Sequence, residues 1–540
     1  MRSGASVPQV SRNRAGSLLG LGLALLLLTP LLGQGVVLSR DMVFVDGIPL
    51  GRQLLGVDGV PRAVPSDLVV ALGSRALGAG LFQDLVLVGL IVLATCGATR
   101  LAPTRSTLAA CAAGTAYGWA PYLHERLLLG QWALLVGWAV LPWAMRTALD
   151  WRDGLPGWPT VAWLSLSALG GANALLLVGL TVVVCGPRLK AIGATAVLSL
   201  PWALPALLGS VAAGDADGVA AFAARSDTHL GVVGSLLTGG GVWAPGAVPP
   251  GRGAGVGVGL VILLVAAIGL RHVTRPLVVA GVLGLVLAVA GRTPGLDAAL
   301  RWAVVHVPAA GLLRDGQKWL APFVLLVAVS LARGAEELRV PVRRTALVAA
   351  VLAPLAALPG AAWGMQGRLE ASTVPQDWQR VTGQARGEVL VLPWALYRAF
   401  PWTGDRTVLD PATKLLRRPV VNDALPLTHG DVAGEDPLAA RLNLIAGSGD
   451  PLLEDLQANG VDQVLVERTT RGADAGTAER QTRGLRLVAE TEELALYAVP
   501  GADDAIVDDA SLWPVVAGDL LALGLAGTAL VRRRRYLPAS

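Results

Sequence analysis

The chain has 540 residues, 53% hydrophobic and 15% charged, with a mean hydropathy of +0.57. Soluble domains carry about 25% charged residues, so the composition excludes a soluble globular protein and indicates an α-helical polytopic membrane protein. The net charge of +5 does not signal a nucleic-acid partner, because the basic residues concentrate in short loops between apolar blocks, where membrane topology explains them.

In chain order, the first apolar block, 17–38, follows Arg2, Arg12 and Arg14 and reads as an uncleaved signal anchor with a cytoplasmic N-terminus. Further spans are expected near 84–98, 106–121, 128–146, 158–171, 172–186, 190–213, 255–270, 276–292, 318–332, 345–361 and 511–531. That makes about twelve with the first, several of them short. Counting 158–186 as two spans about Gly170-Gly171 puts Arg100 and Arg105, Arg146 and Arg152, Arg188 and Lys190, Arg271 and Arg275, Arg333 to Arg344, and Arg532 to Arg535 all on the cytoplasmic side. Counting it as one span inverts everything downstream. Trp119, Trp132, Trp143, Trp158, Trp302 and Trp319 lie near span ends, as an aromatic belt would. Cys96, Cys111 and Cys185 sit in apolar stretches without metal-type spacing, so neither a disulfide framework nor a zinc site is expected.

The organisation expected is a multi-span domain over 1–361, a small extracytoplasmic α/β domain over 362–510, and a final span with a basic cytoplasmic tail over 511–540. Outer loops fall at 39–83, 214–254 and 293–317, with the Gly/Pro-rich stretch 239–255 read as flexible. Within 362–510, β-type runs occur at 388–392, 461–466, 485–488 and 494–499. Asp450-Pro451 and Asp436-Pro437 each signal a helix start, and Asn459-Gly460 a helix end. The region carries no GxSxG, HExxH, Walker-type or GxGxxG signature.

Three ionisable clusters sit at the ends of apolar blocks on the outer side, where charge is costly and usually faces a protein cavity. Asp41, beside Arg40, would deprotonate an acceptor hydroxyl or bind a divalent cation, against an ordinary loop acid paired with Arg40 as the bland alternative. The plainer reading of Asp46, Asp58 and Asp67 is loop acids or helix caps. His124-Glu125-Arg126 opens a span: Arg126 would hold a phosphate, with Glu125 orienting it or acting on a hydroxyl, against a structural ion pair as the bland alternative. In Arg314-Asp315-Gly316-Gln317-Lys318, Arg314 and Lys318 would bind a lipid-linked phosphate, against simple headgroup anchoring. His306 is expected to be packed and His229 to lie in a loop.

The pattern of a cytoplasmic start, an acid just outside the first span, about a dozen irregular spans and an outer C-terminal domain resembles the GT-C-fold glycosyltransferases. Pro121-Tyr122, Glu125-Arg126-Leu127 and Gly130-Gln131-Trp132 are similar to the N-terminal membrane part of actinobacterial cell-wall arabinofuranosyltransferases and their relatives, and the stretch 313–319 has the same character. The resemblance covers roughly 1–360. It implies transfer of a sugar from a polyprenyl-phosphate donor to a cell-envelope glycan or glycolipid acceptor at the plasma membrane, with Asp41 and Glu125 catalytic, Arg126, Arg314 and Lys318 at the donor phosphate, and His124, Asp315 and Gln317 nearby. No cofactor is implied with certainty and the metal is left open. The chain departs from the family's paired-acid motif, having Met42 and Val43 after Asp41, and its outer domain is small. A different class, a lipid-linked-sugar transporter or an envelope-assembly scaffold, is the alternative.

Overall fold

The computed structural model describes residues 9–209, 214–307, 310–338, 343–427, 430–502 and 511–533. Arg2, Arg339, Arg534, Arg535 and the stretch 503–510, all used in the sequence reading, lie outside the described residues. The chain is mostly helical. The principal helices are α1 (Gln9–Leu28), α2 (Ala79–Leu101), α3 (Thr107–Gly118), α4 (Pro121–Leu128), α5 (Trp132–Arg152), α6 (Trp158–Ala168), α7 (Gly171–Cys185), α8 (Arg188–Leu208), α9 (Val256–Gly269), α10 (Arg275–Val289), α11 (Leu296–His306), α12 (Ala321–Glu337), α13 (Arg343–Ala357) and α14 (Trp513–Arg533).

Among the described residues six helical stretches are long and apolar enough to cross a membrane: Ala79–Leu101, Trp132–Arg152, Arg188–Leu208, Arg275–Arg292, Gly316–Glu337 and Trp513–Arg533. A seventh is added if Arg344–Ala357 and Pro359–Gly367, bent by 66°, count as one span. By length and composition the described residues supply six or seven such stretches against the expected count of about twelve. The blocks at 106–121, 158–171, 172–186 and 255–270 form helices of 12, 11, 15 and 14 residues, which at about 1.5 Å per residue fall short of the roughly 30 Å hydrocarbon core. The first block also ends early, at Leu28: Thr29-Pro30 follows, and Val36–Val37 is already strand.

The chain reverses at Gly170-Gly171, as the two-span reading requires. A Cβ on Gly170 would collide with the Ala133 carbonyl at the start of α5, whereas Gly157 and Gly186, before α6 and after α7, pack on Trp151 and Ala148 at the other end of α5. Gly171 has φ +76, a conformation that favours glycine. At that far end the basic loops gather. Arg12 donates to the carbonyls of Ala102 (3.2 Å) and Thr104, Glu336 accepts from the Arg105 and Ser106 amides at 2.9 and 2.8 Å, and Arg333 pairs with Glu336 at 2.6 Å.

The sheet region is built from β1 (Val36–Val37), β2 (Ala371–Ser372), β3 (Val389–Leu392), β4 (Tyr397–Ala399), β5 (Thr407–Leu409), β6 (Pro419–Val420), β7 (Leu425–Leu427), β8 (Gly430–Val432), β9 (Gln463–Glu467), β10 (Arg486–Glu490) and β11 (Leu494–Ala498). The main sheet has the order β10-β11-β9-β3-β6, with β3 parallel to both β6 and β9. All of β3 and β9 is buried, which is why these strands read as continuous apolar runs and not as alternating ones. Asp436 caps its helix, Pro437–Ser448, by accepting from the Leu438 and Ala439 amides. The Asp450-Pro451 start is displaced: Leu452 donates its amide to the Gln481 carbonyl, and the helix begins at Leu453. β1 pairs with β2, and the β4–β5 hairpin bonds the segment after α1, so the sheet region is joined to the helical part well before it in sequence.

Two further expectations change. His306 is exposed and stacks on Trp302, not packed in a core. The 239–255 loop is folded inward: the Arg252 side chain is 2% exposed and pairs with Asp227 at 2.9 Å. Asp46 accepts from the Ala79 amide at 2.9 Å, Asp58 pairs with Arg52 and Asp67 with Lys414, so these loop acids are structural.

Candidate functional site

The short helix α4 starts on Pro121 at its first turn, where proline's missing N–H costs nothing. It ends at Leu128, and Gly130 (φ +76) turns the chain into α5. Only glycine fits there, because a Cβ would collide with the Ser39 carbonyl and the Asp41 and Met42 amides. The turn Ser39–Met42 therefore lies directly on the α4–α5 joint, with the Ser39 hydroxyl donating to the Leu128 carbonyl at 3.0 Å and the Asp41 amide to the Leu129 carbonyl at 3.2 Å. From the other side, the Arg40 amide donates to the Thr407 carbonyl (3.0 Å) and the Leu409 amide to the Arg40 carbonyl (2.8 Å). Arg40 is thereby held at φ +44, a strained conformation for a residue with a Cβ.

Asp41 accepts a 2.6 Å hydrogen bond from the Tyr397 hydroxyl of β4. Burial raises its pKa above the ordinary carboxylate value, and hydrogen bonds from Tyr397 and Gln131 and the charge of Arg40 offset part of that rise. Burial, then the Asp41 charge, keep Tyr397 protonated far above its usual range, so it remains the donor.

Gln131 links Asp41 to the second cluster, since its carbonyl oxygen accepts from Arg126 at 2.5 Å. Arg126 is fully buried on the face of Tyr122, 5.5 Å from the ring centroid. It makes a two-pronged contact with Asp315, whose second bond is 3.0 Å, and also donates to Gln317. Tyr122 in turn stacks on Trp138 and donates its hydroxyl to the Lys318 carbonyl at 2.8 Å. Burial opposes the charge on Asp315, yet Arg126 outweighs it and holds that carboxyl below its usual range. Gln317 donates to Glu125 at 2.8 Å. Glu125 meets Asp227, which is bound by Arg252 at 2.9 Å and by the Gly241 amide at 3.0 Å. Burial and then the Asp227 charge push Glu125 well above the carboxylate range, whereas for Asp227 the Arg252 charge overcomes burial and keeps it below. Burial and the Asp227 charge thus favour the protonated form of Glu125, while Arg252 favours the charged form of Asp227.

Of the residues singled out from sequence, Asp41, Glu125, Arg126, Asp315 and Gln317 thus form one continuous polar chain at the end of the bundle opposite the basic loops. Lys318 adjoins it, donating to Asn173 at 2.6 Å and to the Leu312 carbonyl. His124 points elsewhere: it is buried against Trp119, its Nδ1 is 2.9 Å from the Ala120 carbonyl, and burial lowers its pKa to about 4. Arg314 is not brought into the chain. It pairs with Glu435 at 2.7 Å and lies over Phe222. Sequence reasoning missed Asp227, Arg252, Tyr397 and the roles of Gln131 and Asn173. The Ser226-Asp227-Thr228-His229 run inside a glycine-rich loop was the one available signal for Asp227. Among the described residues no group of three or more His, Cys, Asp or Glu is placed to hold a metal.

The fold and site define a mostly helical chain of membrane type with a small sheet region and a buried polar chain at one end. No family model, curated protein or solved structure matches it.

Proposed function

We propose that the chain is a plasma-membrane glycosyltransferase that moves a sugar from a polyprenyl-phosphate donor to a cell-envelope glycan or glycolipid on the extracytoplasmic side, with both termini cytoplasmic. The observation that carries this reading is Asp41, a half-buried residue fixed by backbone bonds from two distant segments and by the Tyr397 hydroxyl. Such fixation is what a general base needs to meet an acceptor hydroxyl in a productive geometry. In the reaction the hydroxyl oxygen attacks the anomeric carbon, Asp41 takes its proton, and the bond to the phosphate breaks with inversion. Glu125, whose contact with Asp227 lies at the other end of the same polar chain, adjusts the field around Arg126 and Gln131 and is a positioning residue in this scheme. Membranes containing the protein, supplied with radiolabelled polyprenyl-phosphate mannose, arabinose or glucose, should incorporate label, and Asp41→Asn should abolish it. Full incorporation by Asp41→Asn would remove Asp41 from the mechanism.

One observation favours a second reading, a transporter of lipid-linked sugar. The carboxyl pair Glu125–Asp227 is buried, and burial with the Asp227 charge favours protonation of Glu125, as a proton-coupled carrier would require. Label uptake into vesicles driven by a pH gradient, without label transfer, would select that reading.

A further inference from the structure

Arg126, Lys318 and Arg314 are each engaged by the protein itself, so a phosphate arriving at this end of the bundle would have to compete with Asp315, Asn173 or Glu435 for them. Two other arginines are not so engaged. Arg40 extends its Nη2 against Gly246, where a Cβ would collide with it, and Arg368 donates its Nη2 to the Gly246 carbonyl. Among the described residues neither guanidinium has a carboxylate within ion-pair reach. Sterically costly backbone holds Arg40 and immediately precedes Arg368, whose own φ is −70°. Arg40 sits at φ +44, and Arg368 follows a left-handed turn in which Trp363, Gly364, Met365 and Gln366 have φ of 53, 64, 55 and 56°. Three of those four residues carry a Cβ, and cost of this kind persists where the position of a side chain is needed.

The location adds a second constraint. Gly364 packs on Pro30 and Leu31 just past the end of α1, a helix whose Leu18, Leu21 and Leu25 are 71, 43 and 43% exposed and so face lipid. Trp363, at 60% exposure, stands at the same level, as an interfacial tryptophan does. We infer that Arg40 and Arg368 form a clamp for the phosphate of a membrane lipid beside Asp41. Two guanidinium groups outside any ion pair suit the oxygens of a phosphate monoester or diester, and the edge of α1 places that phosphate at headgroup level. The clamp rests on the transferase reading only in naming the donor as the lipid concerned.

The test uses the full-length chain in detergent, with farnesyl phosphate, inorganic phosphate and phosphatidylglycerol as three separate probes and thermal unfolding as the readout. Farnesyl phosphate should raise the unfolding temperature in a saturable way. Arg40→Gly, which suits the positive φ and so keeps the fold, and Arg368→Gln should each weaken that binding at least tenfold. Inorganic phosphate and phosphatidylglycerol should each bind more weakly than farnesyl phosphate. Unchanged farnesyl phosphate binding in both arginine variants overturns the clamp, and equal binding of inorganic phosphate overturns its lipid specificity. Binding that depends on both arginines in a protein that transfers no sugar would leave the clamp standing and remove the transferase reading instead.

Discussion

Asp315→Ala removes the counter-charge of an arginine that has no route to solvent. Arg126 is 0% exposed and Asp315 18% exposed in their pair. Deleting one partner of a buried ion pair costs about 3–5 kcal/mol, because the other charge stays buried without compensation. Here the oxygens of Gln131 and Gln317 remain on the guanidinium, and Asp315 keeps some solvent, so the expected loss is near the lower end, about 3 kcal/mol. The double variant Arg126→Met/Asp315→Leu, which leaves no charge behind, should regain most of that loss. Chemical unfolding of the detergent-solubilised chain, followed by tryptophan fluorescence, reads both quantities. The pair's pH dependence has a definite sign. Asp315 is held below its ordinary pKa, so its contribution is present above pH 3.8 and is lost as pH falls through the lower folded value. An Asp315→Ala loss under about 0.5 kcal/mol, the range of ordinary surface changes, would refute the account of Arg126 as a buried, internally neutralised cation.

Glu125→Gln should leave stability at neutral pH unchanged or slightly higher, since the neutral amide replaces a carboxyl whose charged form burial and Asp227 disfavour. Because that carboxyl's pKa is raised, the wild type should lose stability as pH climbs above 4.5, and the variant should show a flatter profile in the same unfolding assay. Gly130→Ala should destabilise by more than about 1 kcal/mol and lower protein yield, because both its φ of +76° and the Ser39 carbonyl forbid a Cβ. In the sheet region Glu388 is raised to about 7 by burial, with Arg418 partly opposing. Its Gln variant should therefore abolish a loss of stability between about pH 4.5 and 7, measurable as the difference between the two pH–stability curves.

Much of this arrangement is visible in the chain before it folds. Charged triplets beside apolar blocks stand out because burial of charge is expensive, and Glu125, Arg126, Asp315 and Gln317 do come together. The Gly170-Gly171 reversal is legible for a similar reason, as it interrupts an otherwise unbroken apolar run. Span length was less so. Hydropathy counts apolar residues but is blind to where Thr29-Pro30 ends α1, or to how short α6 and α7 are once the reversal has taken its residues. Pairing is the least legible property of all. Tyr397 lies 356 positions from Asp41, and nothing in the composition of the 239–255 loop shows that Arg252 turns inward to meet Asp227. Arg314 and Lys318 look equivalent as isolated cations, yet Glu435, 121 residues on from Arg314, draws that arginine out of the polar chain.

The sheet region cannot be regarded as an appendage to the helices, because the position of Asp41 depends on it. The helical part alone supplies one wall, the Leu128–Gly130 turn, and leaves the amide and carbonyl of Arg40 without partners. β5 supplies those partners and β4 the hydroxyl that meets the carboxylate. The same two parts are joined again by Lys414 with Asp67 at 2.7 Å, Arg62 with Asp423 at 2.6 Å, Arg418 with Asp58 at 3.4 Å and Arg314 with Glu435. Isolated surface pairs contribute little, about 0–1 kcal/mol each. Spread around a backbone contact, however, they fix its orientation, which matters more here than the stability they add. The strained φ of Arg40 follows from this. With both of its backbone groups bonded to β5 and the next residue's amide bonded to Leu129, the turn has no freedom to relax, and the strain is held by contacts on both sides of it.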